Sequence, residues 1–135
     1  MKKSPQSRRF DKNRSPGGWY VATYVERFEW EGENRSNLKR RCNAWRNAIL
    51  VRAKTPEEAY ARSIRLAKLG DTPWHDAKGR KGRLLFEGLT SLLPIYDELE
   101  DGAEVFWWKH NKVAGGSINK LVRSKKNLEG FRKGQ

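Results

Sequence analysis

The segment Trp19-Tyr20-Val21-Ala22-Thr23-Tyr24-Val25-Glu26-Arg27-Phe28-Glu29 decides the fold class. Aromatic and β-branched residues dominate it and Gly17-Gly18 open it, a composition that suits the pleated, half-buried backbone of a strand. Apolar residues fall on both alternating faces of its first half. That predicts a strand with one face under a helix and the other partly covered. Immediately after it, Glu31 to Cys42 is polar and charged, with Gly32, Asn34, Ser36 and Asn37, and reads as a long hairpin loop or mobile insert. Trp45 to Ala53 then forms a second strand centred on Ile49-Leu50-Val51.

The next signal is a helix start. Thr55 offers a hydroxyl to the free N–H groups of a first turn, Pro56 has no N–H to lose, and Glu58 stands where a capping-box acid reaches back. Tyr60, Ile64 and Ala67 recur at helical spacing and form the stripe expected to dock on the sheet, and Gly70 is a natural stop. Asp71 to Gly82 reads as a loop. Arg83–Leu89 and Leu92–Leu99 read as two further strands, with Pro94 placing the second at an edge or making its start irregular. Asp101-Gly102 is a hairpin turn into a last strand, Val105-Phe106-Trp107-Trp108. Ile118 to Phe131 has weak helical spacing and reads as a short surface helix or as disorder. The expected fold is therefore α+β, in the order β-β-α-β-β-β. It has a mostly antiparallel sheet of about five strands, one main helix on one face and room for a short C-terminal helix.

Charge divides the chain. The net charge is +13 over 135 residues. Residues 1–18 carry +5 through Lys2, Lys3, Arg8, Arg9, Lys12 and Arg14 against Asp11; residues 30–46 carry +3; residues 109–135 carry +7; everything else carries −2. The reading is a flexible basic arm over 1–18, a near-neutral α+β domain over 19–108 and a basic tail over 109–135. Apolar residues make up only 36% of the chain, so some segments lie outside the core, and six tryptophans are expected to supply much of the buried area. A single cysteine, Cys42, excludes an internal disulfide and a multi-cysteine zinc site and fits a reducing compartment. No hydrophobic core of a secretory signal follows Met1-Lys2-Lys3, and no apolar run reaches the roughly 18 residues of a membrane span. The expected location is the cytoplasm.

Four features in order resemble a family of small bacterial proteins called domain of unknown function 4288. They are Trp19-Tyr20-Val21-Ala22, Thr55-Pro56-Glu57-Glu58-Ala59, Phe86-Glu87-Gly88-Leu89 with Leu92, and Asp101-Gly102-Ala103-Glu104. The resemblance spans roughly residues 19–108. It implies a small α+β domain and assigns no biochemical activity, cofactor or catalytic residue. The basic ends and the charged 30–46 segment depart from the family.

No catalytic set emerges. The acidic run Asp97, Glu98, Glu100, Asp101 and Glu104 suits a solvated hairpin end better than a paired-carboxylate site. Neither His75, beside Asp76, nor His110 has a metal-ligand spacing. Cys42 follows Arg40-Arg41, cations that favour a thiolate, but its setting is a loop. Lys78, Arg80, Lys81 and Arg83 lack the spacing of a phosphate loop and read as cations that keep a loop soluble. The chain thus reads as a non-enzymatic binding module without cofactor or metal. The first expectation is non-specific association with nucleic acid or a ribonucleoprotein. Its cations would be Lys2, Lys3, Arg8, Arg9, Arg14, Lys39, Arg40, Arg41, Lys120, Arg123, Lys125 and Lys126, with Trp30 as the tryptophan most expected to be exposed for stacking. The alternative is a protein-interaction or immunity-type accessory module that binds an acidic protein, its arms steering the encounter.

Overall fold

The structure, a computed structural model, describes residues 12–131. β1 (Trp19–Trp30) runs through a four-stranded antiparallel sheet between β2 (Ala44–Arg52) and β4 (Lys81–Pro94), and β3 (Thr72–His75) lies outside β4. The helix α1 (Pro56–Lys68) packs across β4, β2 and β1. The expected α+β class, antiparallel sheet and single main helix hold.

The two-faced pattern of β1 is that of a central strand. Near its start the even-numbered residues face α1: Tyr20 packs with Ala53 and Ala59, Leu92 packs against them, and Ala22 and Val51 are also buried. Val21 and Thr23, on the opposite face, are buried as well. Burying a side chain such as Val51 contributes roughly 1.5–3 kcal/mol. Burial, followed by the Glu26 carboxylate, raises the pKa of the Tyr24 phenol above its ordinary value, and a hydrogen bond with Asn47 partly offsets this. Gly18, at φ +79°, turns the chain into β1 and receives the Ala53 N–H on its carbonyl at 2.8 Å. Ser15 is buried just before it, donating to the Ile95 carbonyl at 2.6 Å and accepting from the Trp19 N–H at 3.0 Å.

α1 begins as its sequence dictates, with Thr55 Oγ1 accepting from the Glu58 N–H at 3.1 Å. The Glu58 carboxylate reaches back to the Lys54 N–H at 3.2 Å. The docking stripe is different from the one expected. Ala59, Ser63 and Ala67 are buried, whereas Tyr60 is 55% exposed. Small residues at i, i+4 and i+8 let the helix approach the sheet closely, and Ser63 satisfies its hydroxyl by donating to the Ala59 carbonyl at 2.6 Å.

The strand count also differs. Residues 95–99 belong to no strand: the expected strand over 83–89 and only the first residues of the one expected over 92–99 form one long strand, β4, which ends at Pro94. Its ladder with β1 shifts register between Thr23 and Tyr24 and between Val25 and Glu26, leaving Thr90 and Glu87 as the extra residues of two bulges. β3 forms where a loop is expected. It pairs only with Lys81–Leu84 of β4, so Pro73 sits on an outer strand, where a missing N–H is tolerated. Beyond β3 the open edge of β4 is capped by Asp71, whose Oδ1 accepts from the Phe86 N–H at 2.7 Å. The turn at Asp101-Gly102 forms, with Gly102 at φ +85°, but Val105–Trp108 is irregular and joins no strand. A strand exists only through a neighbouring ladder, and no strand of the sheet takes this segment as a neighbour. The C-terminal helix α2 (Gly115–Asn119) has five residues, and short 3-10 turns at Lys125–Asn127 and Glu129–Phe131 follow it. None of these three elements packs on the sheet or on α1.

Candidate nucleic-acid interface

The last residues of β1 alternate between two environments because a strand has period two. Arg27 and Glu29 point to one face, Phe28 and Trp30 to the other. Each pair organises a cluster at the end of the sheet where the 31–43 loop and the β3–β4 turn lie.

On the Arg27 face there is an ion-pair network. Arg27 Nη2 donates to Glu87 Oε1 at 2.9 Å, and Arg35 Nη2 lies 3.0 Å from Glu87 Oε2. Arg35 Nη1 meets the buried Glu29 at 2.5 Å, and Arg40 approaches Glu29 at 3.7 Å and Glu33 at 3.1 Å. The Arg40 Nη atoms are buried and make ion contacts without an aligned hydrogen bond. The bulge at Glu87 turns its carboxylate to the two arginines. Desolvation pushes the Glu87 pKa up, but hydrogen bonds from Arg27 and Arg35 outweigh it and hold the carboxyl below its ordinary value. The hydrogen bond to Glu87 likewise raises Arg27. Arg27 Nη1 also contacts Cys42 Sγ at 3.9 Å. The loop is therefore pinned to the body through Arg35 and Arg40.

On the Phe28 face there is an aromatic cluster. Phe28 meets Trp30 edge-on at 4.9 Å and Trp74 edge-on at 5.6 Å, and Trp30 and Trp74 lie 5.4 Å apart. The Arg80 guanidinium stacks over Trp30, 4.2 Å from the ring centroid. Arg80 is positioned by the β3–β4 turn, in which Asp76 Oδ1 accepts from the Lys78 N–H at 2.9 Å and the Arg80 N–H at 2.8 Å. Asp76 is thereby committed to the backbone rather than to His75, which is exposed on β3. A groove of about 870 Å³ opens at this end of the sheet, lined mainly from the Arg27 face by Glu29, Glu33, Arg35 and Arg83 and also by Trp30 and Trp74.

The residues singled out from sequence scatter across the molecule. Lys2, Lys3, Arg8 and Arg9 lie outside the described residues. Arg14 is exposed and donates to the Lys54 carbonyl at 3.2 Å. Lys39 and Arg41 are exposed, whereas Arg40 belongs to the ion network. Lys120, Arg123, Lys125 and Lys126 are exposed, Lys125 lying 5.3 Å over the Phe131 ring. Trp30 is half-buried under Arg80 instead of exposed, and among the described residues no tryptophan is fully buried. The sequence places Trp74 within an expected loop and reads Arg80 as a solubilising cation, whereas Trp74 lies on β3, a strand that Pro73 masks, and Arg80 stacks on Trp30. In the acidic run, Asp97 Oδ2 accepts from the Glu104 N–H at 3.0 Å, so Asp97 shapes the turn. Among the described residues no group of three His, Cys, Asp or Glu side chains is placed to hold a metal, and no helix is long and apolar enough to cross a membrane.

Comparison with curated proteins and with solved structures finds no match. Comparison with protein families finds one over residues 19–107, which contain the whole sheet, α1 and both clusters, and the chain belongs to that family, described as Domain of unknown function (DUF4288).

Proposed function

We propose that this protein associates with nucleic acid through phosphate contacts made mainly outside the sheet. The observation that supports this is how the cations are divided. Among the described residues the ion pairs tie Arg27, Arg35 and Arg40 to Glu29, Glu33 and Glu87. Lys109, Lys112, Lys120, Arg123, Lys125 and Lys126 are all exposed on the C-terminal segment, with Glu129 the single acid there. Lys78, Arg80, Lys81 and Arg83 are exposed on the β3–β4 hairpin. Exposed cations on an extended segment neutralise phosphates and release counterions, giving affinity without sequence choice.

The test is binding of a labelled 20-base-pair duplex as a function of salt. Each lost phosphate contact lowers the slope of log K against log salt by about 0.9. Converting Lys120, Arg123, Lys125 and Lys126 together to Gln is expected to reduce the slope by roughly 2–4. Absence of binding at low salt, or binding indifferent to salt, refutes the reading.

One observation favours a second reading. Val105, Phe106, Trp107 and Trp108 are 39–59% exposed in the segment that leads from the domain into the basic tail. Exposed aromatics beside cations suit an acidic protein with an apolar surface. Protein capture that survives nuclease treatment and is lost on Trp107→Ser/Trp108→Ser supports this reading over the first.

A further inference from the structure

β2 is the last strand on its side of the sheet, so its outer edge meets no neighbouring strand. The ladder with β1 decides which backbone groups lie on that edge. The Ala53 N–H donates to the Gly18 carbonyl at 2.8 Å and the Phe28 N–H to the Asn43 carbonyl at 3.0 Å, and the register between these pairs runs without a shift. In an antiparallel pair, residues that exchange hydrogen bonds alternate with residues that do not. The odd-numbered residues of β2 therefore bond to β1. The N–H and C=O groups of Ala44, Arg46, Ala48, Leu50 and Arg52 point outward, and all five residues are exposed. Among the described residues none of these backbone groups meets a hydrogen-bond partner. The opposite margin of the sheet is guarded: β3 is short and carries Pro73, and beyond it β4 is bulged and capped by Asp71. β2 has no Pro, Gly or bulge along its 9 residues. We infer that this edge takes an added strand, an extended acidic segment of another protein. The surface is distinct from the basic C-terminal segment, and the inference does not depend on the nucleic-acid reading.

The charge on the edge selects the occupant. From Ala44 to Lys54 the chain carries Arg46, Arg52 and Lys54 and no acid. Arg46, Leu50 and Arg52 share the face of β2 turned away from α1, and Leu50 is 49% exposed. Arg46 meets no carboxylate among the described residues, and Arg52 lies over the Trp19 ring, 5.3 Å from its centroid. A second copy of this chain would bring the same three cations and its own basic tail to the edge and would supply no acid there. Asp or Glu opposite Arg46 and Arg52 makes cross-strand ion pairs instead. A nucleic-acid strand has no row of alternating N–H and C=O groups to continue the ladder. An antiparallel added strand therefore places one acid opposite Arg52, an apolar residue two positions later opposite Leu50, and a second acid four positions further on, opposite Arg46. Main-chain hydrogen bonds supply the attachment and the two acids the choice of partner.

The experiment titrates the full chain with a fluorescein-labelled peptide rich in threonine and valine, with glutamates six positions apart and valine two positions after the first, and reads anisotropy. The same peptide with lysines in place of the glutamates is expected to bind about 10-fold more weakly. Arg46→Glu/Arg52→Glu is expected to reverse that preference. N-methylation separates strand addition from charge attraction. Methyl groups on the glutamate amides and the alternate amides between them, which face β2, are expected to abolish binding, and methyl groups on the remaining amides to leave it intact. Ala48→Pro removes an outward N–H without touching the ladder to β1, and is expected to weaken binding by about 10-fold or more at an unchanged circular dichroism spectrum. The charge reversal and the methylated peptides keep the test decisive if that variant does not fold. Binding that survives methylation of the facing amides is charge attraction alone and overturns the proposal, as does equal affinity for the glutamate and lysine peptides. If the protein alone sediments as a dimer that Ala48→Pro dissociates, the occupant is a second copy and the acidic segment is wrong. Duplex binding is expected to be the same in Ala48→Pro as in the parent, so either reading can fail while the other stands.

Discussion

Gly82 is the position where one carbon atom should do most damage. A Cβ there would stand 2.2 Å from Phe28 Cζ and 2.9 and 3.0 Å from its Cε2 and Cε1. Carbon atoms in contact prefer about 3.5–4.0 Å, so the ring must retreat by more than about 1 Å. A lone aromatic side chain swings away cheaply, but Phe28 is held edge-on by Trp30 at 4.9 Å and by Trp74 at 5.6 Å. Gly82→Ala therefore overpacks the cluster and costs about 1–3 kcal/mol. In a domain of 60–100 residues that lowers the melting temperature by roughly 5–20 °C. The assay is thermal unfolding followed by circular dichroism. Phe28→Leu removes the atom in collision, so the double variant should recover about 0.5–3 kcal/mol relative to the sum of the singles. A melting temperature unchanged within scatter for Gly82→Ala, or strictly additive effects, would refute the reasoning.

Thr55→Ala removes the acceptor of the Glu58 N–H and should cost about 1 kcal/mol in urea unfolding, with an unchanged m value. Tyr60→Ala should stay within about 0.5 kcal/mol because the ring is largely in water, whereas Ala59→Leu should cost about 1–3 kcal/mol by prying α1 from the sheet; the reverse order in the same titration would restore Tyr60 to the docking stripe. The folded Glu87 carboxyl titrates below its unfolded value, so its contribution is complete above about pH 4.3 and is lost as pH falls through the folded pKa. Glu87→Gln should accordingly flatten the acid limb of a plot of urea midpoint against pH, and an identical limb in both proteins would count against the network.

Local chemistry was legible and distant pairing was not. The cap at Thr55-Pro56 and the central strand at Trp19–Glu29 depend on near neighbours and on two-faced burial, and both hold. β4 was misread as two strands because Gly88, Thr90 and Ser91 look like turn punctuation. In the fold the bulges absorb the irregularity: Thr90 and Ser91 exchange hydroxyl hydrogen bonds with Thr23 on β1. The Val105–Trp108 segment has the composition of a strand but no ladder, and composition does not supply a neighbour. Arg40 read as a free cation because the fold of the loop that brings it back to Glu29 and Glu33 is not written in the local sequence, and Glu87, the partner of Arg35 some fifty residues away, is brought close only by the β1–β4 register. The described cations of the C-terminal segment, Lys109 to Lys126, have no such partner in the sheet, in keeping with their surroundings: few large apolar residues within a basic, glycine-containing run.

This division has a consequence that salt can expose. Glu29 is buried, the side chains of Arg27, Arg40 and Glu87 are at most one-quarter exposed and that of Arg35 is about half exposed, so most of the network sits where counterions penetrate poorly. The cations of the C-terminal segment and the β3–β4 hairpin stand in water, where the screening length at physiological salt is about 8 Å. Phosphate binding and loop anchoring draw on the same residue types but should separate as salt rises. Raising salt from about 50 to 200 mM should weaken a complex with six or more phosphate contacts by about 10³-fold or more. Over that range the 31–43 loop should keep its protection against amide hydrogen exchange, because Arg35 and Arg40 remain paired. If protection of residues 33–41 is lost in step with binding, the two sets of cations form one exposed population, and the structural role assigned to Arg35 and Arg40 is wrong.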